Sequence, residues 1–271
     1  AKVTDLRSGK SFDITAKRTI NAAGPWVDNV RGKDEEVEGK RLHLTKGIHL
    51  VFDRERFPLR QAVYFDVADG RMIFAIPRDG ATYVGTTDTN YSENIERPRV
   101  SESDVAYLLN AVNEAFDMKP LTKADVQSTW AGLRPLIHED GKSPSELSRK
   151  DEIFISEHGL ISIAGGKLTG YRKMAERTVD LAMTQLHTEF QVTRAASKSS
   201  GRKLSGGTFH SFNAFLAEVG ETTLTQTQLT SLYHKYGSNT FVILADLDLK
   251  EKDQTAAILL AELRYSTENE M

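Results

Sequence analysis

Apolar and polar residues alternate in short runs through the first third of the chain. Lys17–Ala22 reads as a strand that leads into Gly24-Pro25 and a short helical start at Trp26. Ile48–Phe52, Ala62–Val67, Arg71–Ile76 and Thr82–Gly85 are rich in β-branched and aromatic residues, with Asp69-Gly70 and Asp79-Gly80 between them. Asp-Gly is a strong hairpin signal because it tolerates the positive φ of a tight turn. The pattern predicts an antiparallel sheet over about 42–90.

The period then lengthens. Val105, Leu108, Leu109, Val112 and Phe116 recur every three to four residues, one face of a helix, and Ser101 with Asp104 has capping-box spacing before it. Val126–Thr129 predicts a further strand running into a turn-like AGLRP. Glu152–Ser156 and Leu160–Ala164 read as two short strands around His158-Gly159. The second ends in Gly165-Gly166 and opens a long helix from about Leu168 to His187, with Tyr171, Ala175, Val179, Ala182 and Leu186 on one side. Beyond a polar linker, Ser211–Val219, Thr225–Tyr236, Asn239–Leu247 and Gln254–Tyr265 read as short amphipathic helices. The expected organisation is a mixed domain over 1–192, a linker over 193–205 and a helical domain over 206–271.

Composition narrows the function classes. The 271 residues are 39% hydrophobic and 27% charged, enough for one composite domain or two. The net charge is −3, with Lys and Arg interspersed among acids, which disfavours nucleic acid as a partner. Without cysteine there are no disulfides, thiolate metal sites or Cys nucleophiles. The longest apolar stretches, Phe241–Ala245 and Thr255–Ala261, fall short of the roughly 20 residues of a membrane-spanning helix, which leaves a peripheral membrane contact open. No proline follows Pro144, in keeping with a helical second half. The chain opens at Ala1 on extended structure without a signal-peptide pattern, and reads as a piece of a longer protein.

Several familiar sites are excluded. Gly141-Lys142-Ser143 and Gly166-Lys167 lack the upstream glycine of a phosphate-binding loop, and no G-x-G pair occurs. What remains is the strand–Gly-Gly–helix unit ISIAGGKLTGYRK. Its glycines permit close backbone approach, its first helical N–H groups carry partial positive charge, and Lys167 and Thr169 add a cation and a hydroxyl. An anionic or electron-rich group suits it; so does a tight turn with no ligand. NAAGPW at Asn21–Trp26 and VGTTD at Val84–Asp88 are two further strand ends; on its own the first reads better as a structural turn, and the second is also ordinary turn chemistry. Arg134, Arg149 and Lys167 would form a phosphate clamp if they converge. His49, inside an apolar strand, is a candidate base or a core histidine. No metal site is predicted.

In order, NAAGPW, LTKGIHLVF, GRMIFAIPRDG, YVGTTDT, WAGLRPLI, SRKDEIF and AGGKLTGYRKMAE resemble the FAD-dependent glycerol-3-phosphate dehydrogenases, most of all those of low-GC Gram-positive bacteria. The resemblance runs from about Arg18 to Asp180. It implies part of a glutathione-reductase-like, amino-acid-oxidase-type FAD domain (α/β with α+β character), an antiparallel substrate sheet and a helical C-terminal domain. It further implies oxidation of sn-glycerol 3-phosphate to dihydroxyacetone phosphate by hydride transfer to FAD, with electrons passed to quinone. The protein would be cytoplasmic or peripheral at the inner face of the cell membrane, and a homodimer is one expected state. A related branch reduces dioxygen instead, and other amino-acid-oxidase-type flavoenzymes share the fold.

Carried over position by position, Arg134, Arg149 and Lys167 match substrate-binding residues and His49 the active-site histidine, so that His49, Arg134 and Lys167 form the catalytic set. Gly24 and Pro25 match a cofactor-contacting turn, and Gly165, Gly166, Lys167, Leu168 and Thr169 the turn that meets the flavin ring. The strand and G-x-G-x-x-G with which that family holds the FAD pyrophosphate are not among these residues, so the chain is expected to carry only part of the cofactor site.

Overall fold

In the computed structural model, residues 1–138, 150–209, 211–220, 222–248, 251 and 253–270 are described. The chain divides into two compact units, 1–197 and 198–271.

The first unit opens with an antiparallel pair, β1 (Lys2–Thr4) and β2 (Ser11–Asp13), followed by β3 (Thr19–Asn21) and α1 (Val27–Arg31). A six-stranded sheet follows. It is built from β4 (Leu42–Asp53), β5 (Val63–Asp66), β6 (Met72–Arg78), β7 (Ala81–Gly85) and β8 (Thr89–Asn90), in the order β5-β6-β7-β4-β8, with β9 (Val126–Ile137) also paired to β4. Every pairing in it is antiparallel. The β6–β7 hairpin turns at Asp79-Gly80, both at positive φ (49° and 79°), the two-residue geometry that the Asp-Gly signal predicts.

The sheet runs past residue 90 because β9 joins it: Val126–Thr129 is strand as the sequence predicts, and the strand continues through AGLRP, where the sequence reads a turn. Gly132 and Pro135 gave the turn signal. Among the described residues β9 pairs with β4 alone, however, and a proline is tolerated on such an edge strand because its missing N–H breaks no ladder on the outer side.

One face of this sheet is sealed by α2 (Glu102–Ala115), whose capping box between Ser101 and Asp104 forms in both directions. Ile48, Leu50 and Phe52 point to that side and are fully buried with Leu108 and Val112. Gly47, His49 and Val51 alternate with them and therefore face the other side. Lys46 points toward the helix, where its ammonium pairs with Asp104 at 2.6 Å in the buried layer.

A second, three-stranded sheet has the order β10-β11-β3, from β10 (Asp151–Ile155) and β11 (Leu160–Gly165). β11 runs parallel to β3, so the chain leaves both strands at the same edge. From β11 it passes through a 3₁₀ turn, Leu168–Gly170, into α3 (Tyr171–Phe190). The second unit is helical: α4 (Phe212–Val219), α5 (Gln226–Tyr236), α6 (Thr240–Ala245) and α7 (Gln254–Asn269), with Leu229, Leu232, Ile243 and Ala261 in its core. Among the described residues, no helix is long and apolar enough to cross a membrane.

Candidate active site

The open face of the six-stranded sheet carries His49. Register aligns Tyr64 with Phe74, Phe74 with Gly85, Gly85 with His49, and His49 with Trp130, one row across four strand pairs. The imidazole stacks on Trp130 at 4.6 Å and 17°, and Phe74 stands on its other side at 5.5 Å. A Cβ at Gly85 would overlap the imidazole, so the missing side chain makes room for it. Nδ1 is buried without a hydrogen-bond partner. Burial first, and the nearby Arg134 charge second, push the His49 pKa down to about 4, so the ring is neutral at pH 7.

Arg134 lies on β9 opposite Thr45, and its side chain crosses the open space over Gly47, where a Cβ would overlap the guanidinium. The guanidinium donates to the Thr87 carbonyl at 3.1 Å, to Asp88 Oδ1 at 3.2 Å and to Thr86 Oγ1 at 2.9 Å. Thr87 is buried, and its hydroxyl stitches the loop to β4, accepting from the Ile48 N–H and donating to the Lys46 carbonyl. The VGTTD segment therefore serves Arg134 and the sheet: two of its side chains hold the guanidinium and the third anchors the loop.

Arg134 also lines a cleft of about 800 Å³. Its walls come from Ile20 and Ala22 at β3, Arg134 and Leu136 on β9, Gly165, Gly166, Lys167 and Leu168 after β11, and Tyr171 and Met174 on α3. Gly165 and Gly166 sit at φ 76° and 85°, which favours glycine. Packing demands it as well: a Cβ at Gly165 would meet the Lys150 carbonyl at 2.5 Å, and one at Gly166 the Met174 sulfur at 2.7 Å. Lys167 and Thr169 are exposed, and Leu168 is 89% exposed.

Gly24 and Pro25 form a 3₁₀ turn after β3, at the edge where the Gly165-Gly166 turn also lies, though neither lines the cleft. Asn21 fixes that turn from a buried position: its amide donates to the Val27 carbonyl and to Ser162 Oγ, and its carbonyl oxygen accepts from the Ala23 N–H.

The structure thus gathers Arg134, Gly165, Gly166, Lys167 and Leu168 at one cleft. His49 lies beside Arg134 on the sheet face and does not line the cleft. Arg149 lies outside the described residues. Asp34, Glu35 and His158 bring ligand-type atoms within 4.8 Å of one another, and none of them lines the cleft. Sequence reasoning did not single out Gly47, Gly85, Phe74 or Trp130. Period-two alternation does put Gly47 and His49 on one face, and that was the available signal.

Residues 1–172 match the family described as FAD dependent oxidoreductase. The chain is 47% identical over 280 residues to the aerobic glycerol-3-phosphate dehydrogenase of Bacillus subtilis (strain 168), covering 99% of this chain and 50% of the relative. It is 49% identical over 284 residues to the enzyme of the same name from Staphylococcus haemolyticus (strain JCSC1435), covering 100% and 50%. The crystal structure of the glycerol-3-phosphate dehydrogenase from Bacillus halodurans, complexed with FAD, superposes with a TM-score of 0.81 at 45% identity, over 98% of this chain and 53% of that one. The chain spans about half the length of the curated relatives it matches. With its first 172 residues matched as one piece and its fold shared along nearly its whole length, the chain belongs to the FAD dependent oxidoreductase family.

Proposed function

We infer that this chain carries the substrate sheet and part of the flavin site of an FAD-dependent glycerol-3-phosphate dehydrogenase. The observation that carries the reading is the cleft in which Arg134, from the sheet, and Lys167, from the glycine turn, line the same space. The naming of the relatives as aerobic glycerol-3-phosphate dehydrogenases supports the substrate.

The residues present fit a flavin ring. The cleft offers apolar walls from Ile20, Leu168 and Tyr171 beside a backbone turn at the start of α3, which suits a flat ring with one electron-rich edge. When bound, FAD supplies a two-electron acceptor for the hydrogen on C2 of the substrate. Gly166, Lys167 and Leu168, followed by Thr169 in the same turn, would hold the ring's electron-rich edge through backbone N–H groups and the Lys167 ammonium, and Gly24-Pro25 would contact the cofactor from the same edge of the sheet. Arg134 and Lys167 bind the phosphate through charge-assisted hydrogen bonds, a role that the resemblance extends to Arg149. Arg134 is held in advance by Thr86, Thr87 and Asp88, so little order is lost when substrate arrives. His49, neutral and walled by aromatic rings, accepts the proton of the C2 hydroxyl on a ring nitrogen. In this reading electrons leave to quinone from a peripheral position on the membrane.

In the full-length protein, Arg134→Ala should raise KM for glycerol 3-phosphate by roughly 30- to 150-fold, the equivalent of about 2–3 kcal/mol for a charge-assisted contact. An unchanged KM would remove Arg134 from the substrate site.

A further inference from the structure

We propose that Trp130 is a positioning residue for His49: its indole holds the imidazole against Gly85 and keeps water from it. This rests on the reading of His49 as the proton acceptor.

Trp130 is 45% exposed on an edge strand and belongs to none of the buried clusters, so the fold itself asks for no large apolar side chain there. Its neighbours on the same face of β9, Ser128 and Gly132, are small. The indole instead lies nearly parallel to the imidazole of its register partner, at 4.6 Å. Phe74 stands on the other side, and bare Gly85 lies beneath the Cδ2–Nε2 edge. With β4 and β7 fixed by the sheet, the indole is a wall that mutation can remove without disturbing the strands.

Desolvation disfavours the charged imidazolium, so a ring enclosed this way remains a proton acceptor well below neutral pH. The charged and titratable groups around it are few. β9 brings Arg134, already paired with Asp88; β7 brings Tyr83, whose ring touches Trp130. β5 brings Tyr64, one position beyond Phe74 in the row, while Met72 and Ile76 flank Phe74 on β6 without charge. On β4, Lys46 points to the opposite face and pairs with Asp104. Removing the indole therefore changes hydration and leaves the charges in place.

Two readouts test this. The first is NMR titration of carbon-13-labelled histidine in the 271-residue chain, with the His49 signal assigned through His49→Gln. The second is the pH profile of kcat/KM for glycerol 3-phosphate in the full-length protein. Trp130→Ala should move the His49 midpoint from about 4 upward by at least about one pH unit, toward the ordinary value near 6.5. The acid limb of kcat/KM should move with it, because a protonated His49 accepts no proton. Trp130→Phe, which keeps a ring over the imidazole, should hold both near the wild-type position.

A Trp130→Ala midpoint within about 0.3 unit of wild type, or a Trp130→Phe shift as large as that of Trp130→Ala, overturns the proposal. A moved midpoint with an unmoved acid limb also overturns it, since His49 would not be the working base. A wild-type protein that leaves glycerol 3-phosphate unoxidised defeats the functional reading instead, and the titration still decides whether the indole holds the ring. A lost fold in Trp130→Ala would make the indole structural and would count against the proposal.

Discussion

Replacing Gly47 with Ala should unseat Arg134 while leaving the sheet where it is. The new Cβ would occupy the space of the guanidinium, which is the free end of a flexible side chain, so the backbone has no need to move. The cost is what the guanidinium leaves behind: its bonds to Thr87 O, Asp88 Oδ1 and Thr86 Oγ1, and a carboxylate whose side chain is only 10% exposed. Water recovers part of this, because Arg134 is itself 25% exposed. A net loss of about 2 kcal/mol is expected, in the range for hydrogen bonds to charged groups.

The register supplies the control. Gly132 is the cross-strand partner of Gly47, and a Cβ placed there meets nothing within 4 Å. Gly132→Ala should be neutral or stabilising by up to about 1 kcal/mol, since a glycine inside a strand is entropically unfavourable. The assay is urea unfolding followed by tryptophan fluorescence. Both tryptophans of the chain, Trp26 and Trp130, lie in the unit over 1–197, so the signal reports that unit alone. With a slope of about 2 kcal/mol per molar urea, Gly47→Ala should lower the midpoint by about 1 M and Gly132→Ala should not lower it. Equal midpoints for the two variants would refute the claim that Arg134 is seated over Gly47.

Other consequences follow from single contacts. Asp104→Ala should cost about 3 kcal/mol, because it takes the carboxylate from the Lys46 ammonium in the layer beneath α2, leaving the bond to the Arg99 carbonyl, and removes the Asp104 half of the capping box while Ser101 still caps the helix. Against burial, which raises it, the bonds from Lys46 and Ser101 hold the Asp104 carboxyl below the usual range. Its contribution to stability is therefore present above the unfolded value near 3.9 and is lost as pH falls through the folded value; a fluorescence-detected acid titration in which Asp104→Asn matches wild type would contradict this. Asn21→Ala leaves the turn after β3 without its internal anchor and should cost about 2 kcal/mol in the same urea assay. Lys167→Ala, at an exposed position, should leave the urea midpoint within about 0.5 kcal/mol of wild type yet raise KM for glycerol 3-phosphate about tenfold or more in the full-length protein.

Local chemistry made much of this fold legible. Asp79-Gly80 announced its hairpin, Ser101 and Asp104 announced the start of α2, and three-to-four periodicity located α3 and α7. Each of these signals acts within a few residues, so one sequence suffices to read it. The start of β9 was legible at Val126–Thr129, but its continuation escaped because Gly132 and Pro135 look like turn formers, and only the edge position of that strand makes them tolerable. The candidate site was legible as residue types and not as an arrangement. Arg134 is held by residues more than forty positions upstream, and His49 meets Trp130 only through the β4–β9 register. Gly85 stands opposite His49, and Gly47 lies one same-face position along β4 from the register partner of Arg134, so the room each glycine makes is visible only once the strands are aligned.

The central claim is that Arg134 and the glycine turn belong to one site that recognises a phosphate beside a flavin. The most direct measurement is an anaerobic absorbance titration of the full-length protein loaded with FAD, comparing glycerol 3-phosphate with glycerol. The account predicts that glycerol 3-phosphate bleaches the flavin band, that glycerol does not at the same concentration, and that Arg134→Ala needs at least about tenfold more glycerol 3-phosphate for the same bleaching. A flavin bleached equally by both compounds, or an Arg134→Ala titration that overlays wild type, would contradict it.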